Sequence, residues 1–265
     1  MNGYEIAAVV GALAWLPQIA AFITSLFRRT KLSVIVQRQP QVGFTYLGPI
    51  FNLRMAFSAS KKDIVISNVQ FNIKHETGDV HVFSWQGMIQ HFGQMKVSDT
   101  NTIDYDREQG VLALKILTTG IEERLVRFQN EKINEERQQF INRANKKMEF
   151  MKSTGKYDPK AFMSSEEISD LVNYCKKSNI WKVGKYTATL HVQSQESFIL
   201  TNSEFFFELT SLDLEALERN KEHIFTAVEN DVRNGNDDYK FLEIIWNWRN
   251  PAIMLRKSEL TSSST

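Results

Sequence analysis

The chain has one cysteine, Cys175, so an intramolecular disulfide and any cysteine-cluster metal site are excluded. Proline is scarce at 5 residues and glycine stands at 12, which excludes a collagen-like or Pro/Gly-rich disordered chain. No excess charge of either sign runs through the whole sequence. Lys plus Arg is 32 and Asp plus Glu is 31, so the global basic character of a nucleic-acid binder is missing and no nucleic-acid partner is expected. Acidic residues are absent altogether from residues 6–62. What is present is an apolar fraction of 42% in 265 residues, enough for one large domain or two small ones.

The acid-free stretch carries Arg28, Arg29, Lys31, Arg38, Arg54, Lys61 and Lys62. With Glu5 counted, residues 1–62 hold +6 and the remainder holds −5. Such polarity turns one end of a molecule toward an anionic surface. These seven side chains are therefore candidate membrane-proximal contacts for anionic lipid headgroups. Internal pairing with carboxylates from the later, acidic chain is the alternative.

Ile6 to Phe27 (IAAVVGALAWLPQIAAFITSLF) is a run of 22 residues without a charge. As a helix it would be roughly 33 Å long, against a hydrocarbon core of about 30 Å. The run predicts a transmembrane anchor over residues 6–27, with the lipid bilayer as partner. A cleaved signal peptide would need a basic stretch ahead of it, where the only charged side chain is Glu5. An interfacial helix would need a polar face. Basic flanks stay in the cytoplasm, so Arg28, Arg29 and Lys31 predict a single-pass membrane protein, N-terminus outside and C-domain cytoplasmic. Pro17 removes a backbone donor and predicts a kink. Ala7 and Gly11 form a small-xxx-small pair, and Gln18 can hydrogen-bond across a helix pair; a homo-oligomer would form through these.

From Leu32 the pattern has period 2. Leu32–Val36 is β-branched, and Phe51, Leu53, Met55 and Phe57 alternate with Asn52, Arg54 and Ala56. Ile64–Ile66, Val69–Lys74, Val80–Trp85 and Val111–Thr118 follow, with a turn signal at Glu76–Asp79. Alternation broken by turn chemistry predicts short antiparallel strands, as in a sandwich. Glu131–Lys152 then reads as a helix with an apolar stripe of Ile133, Phe140, Ile141, Ala144, Met148 and Met151. Ser164–Glu167 matches a capping box and opens a second helix through Cys175. Ser203–Thr210 is a Phe-rich strand. Leu212–Asn234 reads as a helix with Asp213 as N-cap and Gly235 as its stop. Tyr239–Trp248 fits either a short helix or a strand, and Asn250-Pro251 ends it.

Trp181–Val192 (WKVGKYTATLHV) places an aromatic, a turn glycine and then Tyr186 ahead of an alternating run. This stretch resembles the late strand of immunoglobulin-like β-sandwiches. The resemblance covers about a dozen residues and lacks the antibody-type cysteine pair. It implies a sandwich and says nothing of activity. The expected fold is thus α+β: an N-terminal transmembrane helix, then an antiparallel Ig-like β-sandwich with a helical insertion and a C-terminal helical segment. The expected division is residues 1–31 for the anchor and its basic flank, 32–210 for the sandwich with an insertion at about 126–179, and 211–265 for the C-terminal segment and tail. Two separate domains is the alternative.

Catalytic patterns are missing. The five histidines, His75, His81, His91, His191 and His223, show no HExxH spacing, and no GxSxG or Walker-type loop occurs. His75 and His81 flank one turn, but spacing supplies no third metal ligand. Cys175 lies on or near a helical apolar stripe, as a buried inert thiol would. Asn234–Asp238 lacks the spaced ligands of an EF-hand. No cofactor and no metal are expected. In a strand Phe206 must turn away from Phe205 and Phe207. Phe206, Trp246 and Trp248 are therefore candidate partner-surface residues, with burial against the C-terminal segment as the alternative. The functional expectation is a membrane-anchored, non-enzymatic interaction or scaffold protein that presents its sandwich to an unidentified protein partner. The alternatives are an anchored enzyme whose site is assembled from residues distant in sequence, and a self-associating membrane signalling or effector protein.

Overall fold

A computed structural model describes residues 15, 17–19, 29–96, 102–233 and 240–255 of the protein. Among the described residues, thirteen strands join in one mixed sheet. The sheet is continuous because three of its strands are long enough to hold two neighbours on one edge. β3 (Gly48–Ala59) pairs with β2 (Gln41–Thr45) through its first half and with β1 (Thr30–Val36) through its second; β8 (Glu122–Asn130) follows its other edge. β5 (Val80–Lys96) lies against β8 on one side, and against β4 (Ile64–His75) and then β6 (Thr102–Gln109) on the other. β4 in turn takes β9 (Gly184–Ser194) on one edge, and β5 and β7 (Leu114–Ile116) on the other.

The sheet curls into a half-barrel. β11 (Glu204–Leu209) pairs with β9, and β10 (Phe198–Thr201) runs parallel to β1. Only Asn202 and Ser203 separate these two strands in the chain, so one short link joins β10, at one end of the pairing path, to β11, next to last at the other. Asn202 takes the left-handed conformation (φ 59°), which asparagine tolerates, and its Nδ2 donates to the carbonyl of Val34 in β1. Phe51, Leu53, Met55 and Phe57 of β3 are all fully buried, on the face their alternation predicts, while Arg54 points out. Rings from β3, β4, β8, β9 and β11 meet inside the curl. Phe71 lies 4.8 Å from Phe128 and 5.3 Å from Phe205, and Phe207 stacks on Phe51 (5.7 Å) and Tyr186 (5.0 Å). Each fully buried ring contributes about 1.5–3 kcal/mol of hydrophobic stabilisation.

A layer of helices sits between β8 and β9 in sequence. Asn130 ends β8 and caps α1 (Glu131–Ser153), its side chain accepting from the Ile133 amide at 3.0 Å. α2 (Pro159–Met163) is capped by Asp158, and α3 (Glu166–Lys177) by Ser165. α1 and α3 pack through stacked Phe140 and Tyr174 rings, and Tyr174 donates to the Glu136 carboxylate at 2.8 Å. After β11 come α4 (Ser211–Arg219), a 3-10 turn (Asn220–His223) and α5 (Ile224–Arg233). The N-cap of α4 is Thr210; Asp213 is its reciprocal partner three residues on, in a capping box, instead of the cap itself. Residues 240–247, outside any helix or strand, lead to β12 (Trp248–Arg249) on β2 and β13 (Met254–Leu255) on β11.

Two expectations are corrected. The Ig-like antiparallel sandwich is replaced by a single curled sheet that includes the parallel β1–β10 pair. The reason is strand length. Ile64–Ile66 and Val69–Lys74 form one strand bent by a bulge, and β5 extends 11 residues beyond Trp85, so strands expected in two sheets share edges. The second correction concerns the membrane. Among the described residues no helix is long and apolar enough to cross a bilayer, so a single-pass anchor and the single-pass membrane localisation built on it are not supported. Of the expected span, residues 6–27, only Trp15 and Pro17–Ile19 lie among the described residues; the rest lies outside them, as do Arg28 and Gly235.

Candidate functional site

The helices enclose a cavity of about 360 Å³ above the β2–β3 turn. α1 contributes Arg137, Ile141, Ala144 and Met148, spaced four, three and four residues apart and hence on one helical face. α3 contributes Ile168, Leu171 and Cys175 at the same periodicity. Val228 and Val232 of α5 form the third wall, with Asp231 beside them. Phe162 of α2 and Tyr157 ahead of it close one end, and Tyr46, in the turn between β2 and β3, lies at the other side of the lining. Lys152, Asn145 and Asp231 are exposed positions on the lining.

Arg137 is the unusual member. It is 9% exposed, although arginine is rarely buried without a partner. One guanidinium nitrogen donates to Asn134 Oδ1 at 3.0 Å, and the group lies 5.8 Å from the centre of the Tyr46 ring. Its Nε has no hydrogen-bond partner among the described residues, and no described carboxylate lies within ion-pairing distance. Burial raises the Tyr46 hydroxyl above its ordinary value, with Asp231 adding to the shift and Arg137 opposing it. The Cys175 thiol donates to the Tyr46 carbonyl at 3.4 Å, and burial pushes its pKa up to about 11 against a smaller opposing effect of Arg137. At neutral pH the cavity thus holds a neutral thiol, a neutral phenol and one buried cation.

The residues singled out in the sequence lie elsewhere and are not brought together. Of the basic set, Arg54 pairs with Glu123 at 3.2 Å on the outer face of the sheet, which is the internal pairing weighed as the alternative. Arg29, Lys31, Arg38, Lys61 and Lys62 are exposed, and the Arg38 carbonyl accepts from the Ile253 amide at 2.7 Å. Phe206 is half-buried on the opposite strand face from Phe205 and Phe207; it pairs across to Thr187 and Met254, and among the described residues no helix lines its cleft. Trp246 is half-buried with its ring 6.0 Å from His223. Trp248 lies over Gly43, where a Cβ would overlap its ring.

His75 is buried, and its Nε2 faces the Val183 carbonyl at 3.1 Å, so that nitrogen carries the proton. Its Nδ1 meets Thr77 Oγ1 at 2.8 Å. Among the described residues no group of His, Cys, Asp and Glu is arranged to hold a metal ion. Sequence reasoning missed Arg137 and Tyr46. The available signal was Arg137 itself, a charge placed four residues after Ile133 and four before Ile141 on the apolar stripe. Comparisons with protein-family models, with curated proteins and with solved structures found no match.

Proposed function

We propose that this protein is a non-enzymatic binding module whose helical layer receives a small, largely apolar molecule. The observation that carries this reading is the cavity of about 360 Å³ walled by Ile141, Ala144, Met148, Leu171 and Val228. Its volume falls in the range of about 300–1,000 Å³ that small-molecule sites occupy, and apolar walls with a few polar groups are their usual chemistry. The polar groups support binding in preference to catalysis. The one thiol is held protonated and its hydrogen goes to a backbone carbonyl. No histidine lines the cavity among the described residues, and its one carboxylate, Asp231, is exposed. A nucleophile paired with a base, the arrangement nucleophilic catalysis needs, has no representative there. Of the expectation drawn from the sequence, the non-enzymatic role is kept, and a small molecule replaces the protein partner.

The test uses the full chain and the small fluorophore 1-aminonaphthalene, which is neutral at pH 7. Saturable enhancement of its emission is expected. Ala144→Trp, which places an indole in the cavity, is expected to abolish it while far-UV circular dichroism stays unchanged. Val232→Trp serves as a second filling variant should the first not fold. The absence of saturable enhancement, or its persistence in folded filling variants, overturns the reading.

A further inference from the structure

We propose that the cavity is selective for an amphipathic monoanion, an apolar chain or ring ending in one carboxylate, with the carboxylate seated on Arg137. This rests on the binding reading above and names the ligand's class. Withdrawing a guanidinium from water is unfavourable unless an anion and a full set of hydrogen bonds replace the solvent. Arg137 has one side-chain acceptor, Asn134 Oδ1, and the face of one ring, Tyr46. Its Nε is buried and unpartnered, and no described carboxylate reaches it. Arginine presents its donors as a planar fork that matches a carboxylate through two parallel hydrogen bonds. The nitrogen the protein leaves open to the cavity is Nη1, which makes no hydrogen bond among the described residues and, unlike Nε, is not sealed from contact, and a carboxylate completes it.

The net charge of the lining sets the ligand's charge. Arg137 and Lys152 are cationic and Asp231 anionic, so the walls sum to one positive charge. Lys152 is exposed and held 5.0 Å from the centre of the Tyr157 ring, which places it at the mouth, whereas Arg137 is in the interior. Burial keeps the Tyr46 phenol protonated; Asp231, whose charge reaches Tyr46, is exposed to solvent and makes no ion pair with Arg137. Beyond Arg137 the same face of α1 continues as Ile141, Ala144 and Met148, which offers the rest of the ligand only hydrocarbon. At about 30 Å³ per non-hydrogen atom, as in liquid water, the cavity takes roughly a dozen such atoms. Decanoate is a probe of that size.

The experiment titrates the full chain with decanoate, decanol and decylamine by calorimetry, at a pH where the acid is ionised. Decanoate is expected to bind at least about tenfold more tightly than decanol, and decylamine more weakly than either. Arg137→Met, which keeps the apolar stem, is expected to erase the preference for the acid while decanol binding is retained, and that retention reports a folded cavity. Arg137→Lys keeps the charge without the fork and is expected to leave part of the preference. Equal affinity of the wild-type chain for decanoate and decanol, or a preference that survives in Arg137→Met, overturns the inference while the binding module stands. If none of the three probes nor the neutral fluorophore binds, the module reading itself falls. Should Arg137→Met not fold, the wild-type comparison and Arg137→Lys decide the matter.

Discussion

Two buried acids tie single residues to a measurable pH dependence. Burial pushes the Cys175 thiol from 9.0 up to about 11 and the Tyr186 hydroxyl from 10.0 up to about 12. The Tyr186 hydroxyl also donates to the Lys182 carbonyl at 2.9 Å and accepts from the Lys182 amide at 2.6 Å, so its proton is used in the fold. Between each pair of values the unfolded chain has released its proton and the folded chain retains it. The unfolded state then binds fewer protons, and stability falls as pH rises. The contribution of the two groups is complete below about pH 9 and is lost as pH passes about 11 and then about 12. Urea midpoints measured from about pH 8 to 12 should therefore decline through that window. Cys175→Ala should flatten the first part of the decline, and Tyr186→Phe the later part. A midpoint independent of pH across this range would show that neither group is buried as described.

Among elements, those written in strictly local patterns were legible and those fixed by long-range pairing were not. The alternation of Phe51, Leu53, Met55 and Phe57 announces β3 and its buried face, and the turn at Glu76–Asp79 announces the β4–β5 hairpin. Glu131 to Ser153 is a helix because its apolar stripe, its acidic start and its basic end agree. The continuation of β5 beyond Trp85 has no such local mark: Gln86, Gly87 and Gln90 interrupt the alternation, and the strand persists because β8 and β6 supply hydrogen-bond partners. The parallel β1–β10 pair was invisible for the same reason, since it joins residues 168 positions apart, Thr30 and Phe198. For the cavity, the stripe of α1 and the place of Cys175 on the stripe of α3 were readable; that three helices and the Tyr46 turn converge on it is a tertiary fact.

The segment from Lys240 to Asn247 shows a third kind of illegibility, because side chains of other elements hold it. Asn220, fully buried in the 3-10 turn, donates from Nδ2 to the Asn247 carbonyl (2.9 Å) and the Phe44 carbonyl (2.8 Å), and its Oδ1 accepts the Asn247 amide at 2.8 Å. Asn230 on α5 repeats the arrangement with Leu242, at 2.7 and 3.0 Å. Each carboxamide bonds the backbone N–H and C=O of one residue, as a strand neighbour would, so the segment needs neither helix nor sheet. Asn220→Ala leaves the buried carbonyl of Phe44 unsatisfied, at about 1–3 kcal/mol, and frees the half-buried backbone groups of Asn247. Urea unfolding should show that loss, and amide exchange should accelerate at Asn247 before it does in β4. A variant as stable as the parent would mean that other groups satisfy this backbone.

At the scale of the whole molecule, a half-barrel has two ends to hold together, and the chain ties them twice. The first tie is the Asn202-Ser203 link between β10 on β1 and β11 on β9. The second is the C-terminal segment. Trp248 and Arg249 pair with Gly43 and Val42 of β2, and five residues on Met254 and Leu255 pair with Phe206 and Phe205 of β11. Between them the Ile253 amide donates to the Arg38 carbonyl, and the Ile253 side chain is buried. Gly43 is part of the same tie: the Trp248 ring lies where its Cβ would be, and the Trp181 indole donates to its carbonyl at 2.8 Å. Burial of Ile253 alone is worth about 1.5–3 kcal/mol, before the strand pairings are counted. A chain ending at residue 239 should therefore keep the β4–β9 pairing, which the segment does not touch, and lose protection at both of its anchorages. Hydrogen exchange is expected to accelerate together in β2 and β11 while β4 remains slow, with a lower melting temperature. Gly43→Ala should produce the β2 part of that pattern in the full chain. If truncation left β2 and β11 as protected as before, the curl would be held by the Asn202-Ser203 link and the ring core alone.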